Sequence, residues 1–179
     1  MALFLISSVT ASASATVEFT TGIDATYNEY QFHFVNIHGQ TDDKQFQFQV
    51  NAVGASGFNE TITSTAHYAY HRENDSEAVL AYRTQADQAQ GTGYQALVGY
   101  NMGNDNDQSA SGILTLYDPS STTYVKHFTS NGHVAVYNDI AANLFTAGYI
   151  NTTSAIDEIS FKFNSGNIDA GTIHMYGVG

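Results

Sequence analysis

The stretch Ile156-Asp-Glu-Ile-Ser-Phe-Lys-Phe-Asn-Ser-Gly-Asn-Ile-Asp-Ala-Gly-Thr-Ile-His-Met-Tyr-Gly177 decides the fold. Ile159, Phe161 and Phe163 alternate with Ser160 and Lys162, the period-two pattern of a strand with one apolar and one polar face. Asn164 to Gly171 supplies Asn, Ser, Asp and two glycines, which tolerate tight or positive-φ backbone. Ile173 and Met175 then alternate with His174 and Tyr176. The reading is strand, connection, closing strand. A strand near a chain end is ordered when it pairs inside a sheet, so this segment is expected to lock the fold.

Working outward, the same period recurs. Tyr30, Phe32 and Phe34 alternate with Gln31 and His33, and Val35 and Ile37 then take the other parity, which predicts a bulge near Phe34. Phe46, Phe48, Val50 and Ala52 alternate with Gln45, Gln47, Gln49 and Asn51, so that strand's other face is expected to be solvated or to meet a polar partner. Ala15 to Phe19 reads as a short strand, Ile62 to Tyr70 as another with Tyr68 and Tyr70 in phase. Tyr94, Ala96, Val98 and Tyr100 share one parity. Ile113 to Tyr117 is apolar on both faces and so is placed centrally, and Leu144 to Ile150 precedes the terminal segment. Asn131-Gly132, between Tyr124–Ser130 and His133–Tyr137, is the strongest short hairpin signal. About ten strands, with a turn signal every dozen residues or so, specify an all-β sandwich. A jelly roll of two antiparallel sheets, with 8–10 strands, closes that number.

Composition narrows the function. With 11 Phe, 12 Tyr and 42% apolar residues in 179, the chain has enough to build one core. We therefore read residues 1–179 as one β-sandwich domain with an N-terminal strand or arm at residues 1–12. Charged residues are 12%, about half the usual share of roughly 25%; Ser, Thr, Asn and Gln must make the polar surface. The five basic residues, Lys44, Arg72, Arg83, Lys126 and Lys162, are scattered in a chain of net charge −12. Nucleic-acid binding needs a clustered basic face, so that class is closed. The absence of cysteine removes disulfides, thiolate zinc sites and thiol catalysis. Ala2 to Val9 followed by Ala11-Ser-Ala-Ser-Ala15 has the outline of a secretion signal, but no Lys or Arg precedes Lys44, so the positive n-region is missing. The run is too short to span a bilayer, and we read it as a first strand apolar on both faces. No membrane partner is expected.

The runs Ser154-Ala-Ile-Asp157, Phe161-Lys-Phe163, Ser165-Gly-Asn-Ile-Asp-Ala-Gly-Thr-Ile173 and Tyr176-Gly177 together carry a resemblance. Gly103-Asn-Asp-Asn-Asp-Gln-Ser109, Pro119 to Phe128, Asn151-Thr-Thr-Ser154 and Phe19 to Tyr27 add to it. Along nearly the whole chain the sequence resembles a recurrent structural domain of marine tailed bacteriophages, found on capsid surfaces and tail parts alike. The resemblance implies a virion structural protein with a jelly-roll-like fold, made in the host cytoplasm and carried on the capsid exterior or tail. The expected role is a capsid decoration or cement protein, a homo-oligomer touching the major capsid protein or other virion proteins. The alternative is a tail fibre, adaptor or receptor-binding module for host glycans. For Ser76 to Gln90, whose Ala, Leu, Gln and Glu favour helix, it implies a strand plus irregular loop.

No constellation of residues reads as an active site. Asn104, Asp105 and Asp107 sit on a short polar loop that suits a hard cation. Counting an EF-hand from Asp105 places Ala110 at the glycine position and Leu116 at the acid, so they are kept only as a weak calcium candidate beside the polar-turn reading. His67 and His71 have a helical zinc spacing, but on a strand they lie about 13 Å apart, beyond one ion. Asp42-Asp43 and Asp157-Glu158 are neighbours, and neighbours on a strand point to opposite faces, whereas glycosidase carboxylates face each other across a sugar. No nucleophile-elbow motif is present. We expect no enzyme activity and no cofactor. Tyrosines serve either as a binding surface or as core, and the lack of tryptophan favours protein contact over a sugar platform.

Overall fold

Alternation over residues 156–178 produces two strands that belong to different sheets. In the computed structural model, which describes residues 2–99 and 101–179, these are β11 (Ile156–Phe163) and β12 (Ile168–Val178). Before them come β1 (Leu3–Thr10), β2 (Val17–Phe19), β3 (Glu29–Gly39), β4 (Phe46–Ala52), β5 (Ile62–Arg72) and β6 (Ala78–Tyr82). Then follow β7 (Gln95–Ala96), β8 (Ala110–Tyr117), β9 (Lys126–Val136) and β10 (Ile140–Ile150). Among the described residues the strands number twelve, above the 8–10 expected. All pairings are antiparallel, in an eight-stranded sheet ordered β1-β12-β3-β8-β9-β10-β5-β6 and a four-stranded sheet ordered β2-β11-β4-β7.

Setting aside β5, β6, β9 and β10 leaves β1-β12-β3-β8 against β2-β11-β4-β7. The chain crosses between those layers at nearly every step, and the first strand pairs with the last. This is the jelly-roll arrangement of two four-stranded sheets. The four extra strands extend one layer only.

The core lies between the layers. Phe161 of β11 is fully buried, with ring centroids 6.3 Å from Phe19, 6.0 Å from Phe46 and, across the sandwich, 5.7 Å from Phe32. Phe34, Phe163, Phe48 and Phe128 continue the cluster. Beyond the small sheet, the segment from Arg83 to Gly99 covers the extended half of the large one. Gln95 is buried there, accepting from Ser64 Oγ at 2.7 Å and donating to the Ala86 carbonyl at 2.6 Å.

Several expectations change in detail. Asn131-Gly132 is not a turn: β9 runs straight through it, and its inward side reads Phe128, Ser130, Gly132, Val134, Val136. Gly132 is required by a close approach, since a Cβ there would run into the Leu97 carbonyl and the Phe34 ring. The hairpin turns at residues 137–139, where Asp139 takes φ +61°. The connection after β11 ends at Asn167, and Gly171 (φ +118°) is instead a bulge inside β12, where a Cβ would meet the backbone at Asn36 and Ile37. The β3 bulge falls between Phe34 and Ile37, with Asn36 at φ +50°; Ile37 turns inward and Val35 stays exposed. The strand expected over Tyr94 to Tyr100 shrinks to Gln95–Ala96, and Tyr100 and Met1 lie outside the described residues. Opposite its phenylalanines, β4 is closed rather than solvated: Gln49 and Asn51 are buried, and Gln49 donates to the carbonyls of Glu60 (2.9 Å) and Gly93 (3.0 Å). β8 is central as expected, but Ile113 and Tyr117 are exposed on its outward side, and β1 is an exposed edge paired with β12.

Two comparisons test these assignments in denaturant melts. Phe161→Ala should cost about 3–5 kcal/mol, the range for a buried Phe. Lys162→Ala, losing an ammonium 4.1 Å from the Tyr94 ring centroid, should cost about 1 kcal/mol or less. Gly132→Ala should cost about 1–3 kcal/mol by overpacking, well above Asn131→Ala, whose side chain is exposed.

Candidate interaction face

In-register pairing across eight strands places side chains from the whole length of the chain in one row. On the side of the large sheet away from the core, the row reads Ser8, His174, His33, Ile113, Asn131, Phe145, His67, Tyr82. Parallel rows add Tyr176 and Gln31, His133 and Asn143, and His127 and Tyr149. Of the seven histidines, His33, His67, His71, His127, His133 and His174 stand at outward strand positions, and His38 sits at the rim. Between Glu29 at one end and Asp169 at the other, no Asp, Glu, Lys or Arg occupies an outward strand position among the described residues. The chain's many carboxylates are displaced to turns and to the small sheet.

Histidines on this face lie against aromatic rings. His33 is 4.8 Å from Tyr176, His67 stacks on Phe145 at 5.4 Å with the planes 2° apart, and His127 is 6.4 Å from Tyr149, centroid to centroid. Polar contacts order the end nearest Glu29: Gln31 Nε2 donates to Glu29 Oε1 at 2.8 Å, and His33 Nε2 and Gln31 Oε1 are 2.9 Å apart. Burial, and secondly the neighbouring His174, hold the His33 pKa below the ordinary histidine value. Eight strands about 4.8 Å apart make the face about 34 Å wide, and strands of eleven residues give it a similar length. Its area is therefore on the order of 1,000 Å², against about 800 Å² per partner in a standard protein interface.

The residues singled out in the sequence do not converge. Asn104, Asp105 and Asp107 are exposed on a turn closed by Gln108 N–H donating to the Asp105 carbonyl at 2.9 Å; Asn104 Nδ2 reaches the Gln40 carbonyl at 3.4 Å. Among the described residues no group of three or more His, Asp or Glu is arranged to hold a metal ion. His67 and His71 share the outward face, four residues apart on β5, with His71 3.0 Å from Asp75. Asp43 accepts from Asn101 at 2.7 Å, and Glu158 accepts from Asn51 at 2.9 Å on the other sheet. A polar cleft of about 550 Å³ lies where the β3 and β12 bulges meet the loop before β8, lined by Asn36, His38, Asn106, Asp107, Gln108, Ser109, Asp169 and Ala170. In it His38 bridges the Asp105 carbonyl (3.2 Å) and the Asp169 carboxylate (3.6 Å).

Sequence reasoning missed two things here. Lys126 is fully buried, its Nζ donating to the carbonyls of Tyr124 (2.9 Å) and Thr152 (3.1 Å), and burial lowers its pKa. Its place on the same parity as Phe128 was the available signal. The row of histidines was not legible, because strand parity assigns a face but not a neighbour.

His33 makes stability depend on pH. Its folded pKa lies below the unfolded value of 6.5, so below about pH 6.5 the unfolded chain binds the proton first, and stability falls as pH falls. Melting followed from pH 7.5 to 5.5 should drop more for the native sequence than for His33→Gln; an equal drop would remove His33 as the cause. Among known proteins, no family model, no curated protein and no solved structure matches this chain.

Proposed function

We propose that the protein is a structural component of a phage virion, a decoration or cement protein that binds the capsid shell through the outward face of its eight-stranded sheet. The observation that carries this reading is the His- and aromatic-lined face, whose outward strand positions between Glu29 and Asp169 carry no Asp, Glu, Lys or Arg among the described residues, on a chain of net charge −12. Interface cores are depleted in charge and enriched in aromatic residues, because burying an ion costs several kcal/mol unless it is well paired. The face is broad, which suits a protein partner, and its area meets that of a stable complex. Agreement of the jelly-roll strand order with what the phage resemblance implies adds to the reading. The role is passive attachment, with the major capsid protein as partner and no chemistry at the contact.

A second reading, a tail-borne receptor-binding module, draws on the cleft at Asn36, His38, Asp107 and Asp169. Amides and carboxylates suit sugar hydroxyls, but the cleft lacks an aromatic platform. The two readings separate experimentally. Phe145→Asp and Ile113→Asp, both at outward positions, should leave circular dichroism unchanged and reduce occupancy on purified capsids at least tenfold. Densitometry of particles should give a copy number comparable with the shell protein. Unchanged occupancy in both variants would overturn the docking face. The low copy number of a tail part, with host-glycan binding lost in Asp107→Ala, would establish the second reading instead.

A further inference from the structure

One edge of the large sheet is built for strand addition. β1 is its end strand, paired on one side with β12. Ala2 and Gly179 exchange both backbone hydrogen bonds, at 2.7 and 3.1 Å. Such pairs alternate along an antiparallel ladder, so the N–H and C=O groups of Leu3 and Leu5 point away from β12, off the edge of the sheet. Leu3 (49%), Phe4 (49%) and Leu5 (60%) are the only three consecutive large apolar residues left exposed among the described residues.

Edges are normally protected by charge, proline or bulges. Residues 2–17 contain no Asp, Glu, Lys, Arg, His or Pro, and β1 carries one bulge, between Leu5 and Ser7. The opposite edge, β6, is five residues long and lies between Glu77 and Arg83, with Glu73, Asp75 and Asp87 in the flanking loops. Of the two sheet edges, β1 is the one along which two copies of net charge −12 approach with less repulsion, because it carries no charge.

We infer that β1 pairs antiparallel with β1 of a second copy about a two-fold axis, joining the two large sheets into one of sixteen strands. An isologous contact of this kind closes at a dimer, whereas β1 against β6 of the next copy would propagate as a filament. The pairing does not depend on what the outward face binds. It leaves that face open and sets two of them side by side.

Leu5→Pro is the sharp test. It removes an N–H that serves nothing within the protomer, and edge strands tolerate proline where the N–H points outward. Leu5→Lys, which places a charge on a solvent-facing side chain, is the second variant. Sedimentation velocity across a concentration series should show a dimer for the native sequence and a dissociation constant raised at least tenfold in both variants. Their circular dichroism and melting, read at dilutions where the native chain is also monomeric, should be unchanged. A monomeric native chain at every concentration, a dimer indifferent to both substitutions, or a ladder of higher oligomers would each overturn the inference.

Discussion

The structure depends on the contact of Phe161 with the rings around it. β11 is the strand through which the small sheet is joined, with β2 on one side and β4 on the other. Its inward side chains, Ile159, Phe161 and Phe163, meet those of β3 across the sandwich. Fully burying such a side chain stabilises by roughly 1.5–3 kcal/mol, so this one strand anchors much of the interlayer contact. Four residues later the chain has crossed to the other layer and entered β12, between β1 and β3. A segment of 23 residues thus pairs with four other strands in both sheets.

Most of this was legible because period-two alternation reports burial directly. Tyr30, Phe32, Phe34, Phe46, Phe48, Val50, Ile159, Phe161 and Phe163 all face inward as their parity requires. The phase change near Phe34 did mark a bulge. What failed was local chemistry read without its neighbours. Asn131-Gly132 has the residues of a tight turn, yet the surrounding alternation carries through it, and glycine is there because Leu97 passes close by. The Gln-rich side of β4 looks solvated in sequence, but Gln49 satisfies three carbonyls of the chain's own loops. A buried amide and an exposed one look alike in sequence when the covering segment lies forty residues away. Of the candidate face, only the polar parity was readable; the row itself arises from registers between strands far apart in the chain.

The added strands explain why such a face exists. A jelly roll of two equal sheets covers the inner side of each with the other. Here β9, β10, β5 and β6 widen only one layer, and segment 83–99, strand only at the two-residue β7, closes their inner side. The Ser64–Gln95–Ala86 hydrogen bonds hold that segment down, so the extension is packed on one side and bare on the other. Widening one layer roughly doubles the outward area while the small sheet stays as it was.

The two outward sides therefore differ in kind. On the small sheet, Gln49 reaches the Glu60 and Gly93 carbonyls, Tyr94 Oη donates to Ser160 Oγ at 3.1 Å, and Lys162 lies over the Tyr94 ring. These polar groups are spent on the chain itself. On the large sheet the outward polar groups are Thr, Asn and imidazoles, the last set against Tyr and Phe rings. His33 resists protonation, first because it is partly buried and second because His174 stands opposite it in register. The small sheet's polar groups thus tie the chain to itself, whereas the imidazoles and rings of the large sheet remain on its outward side.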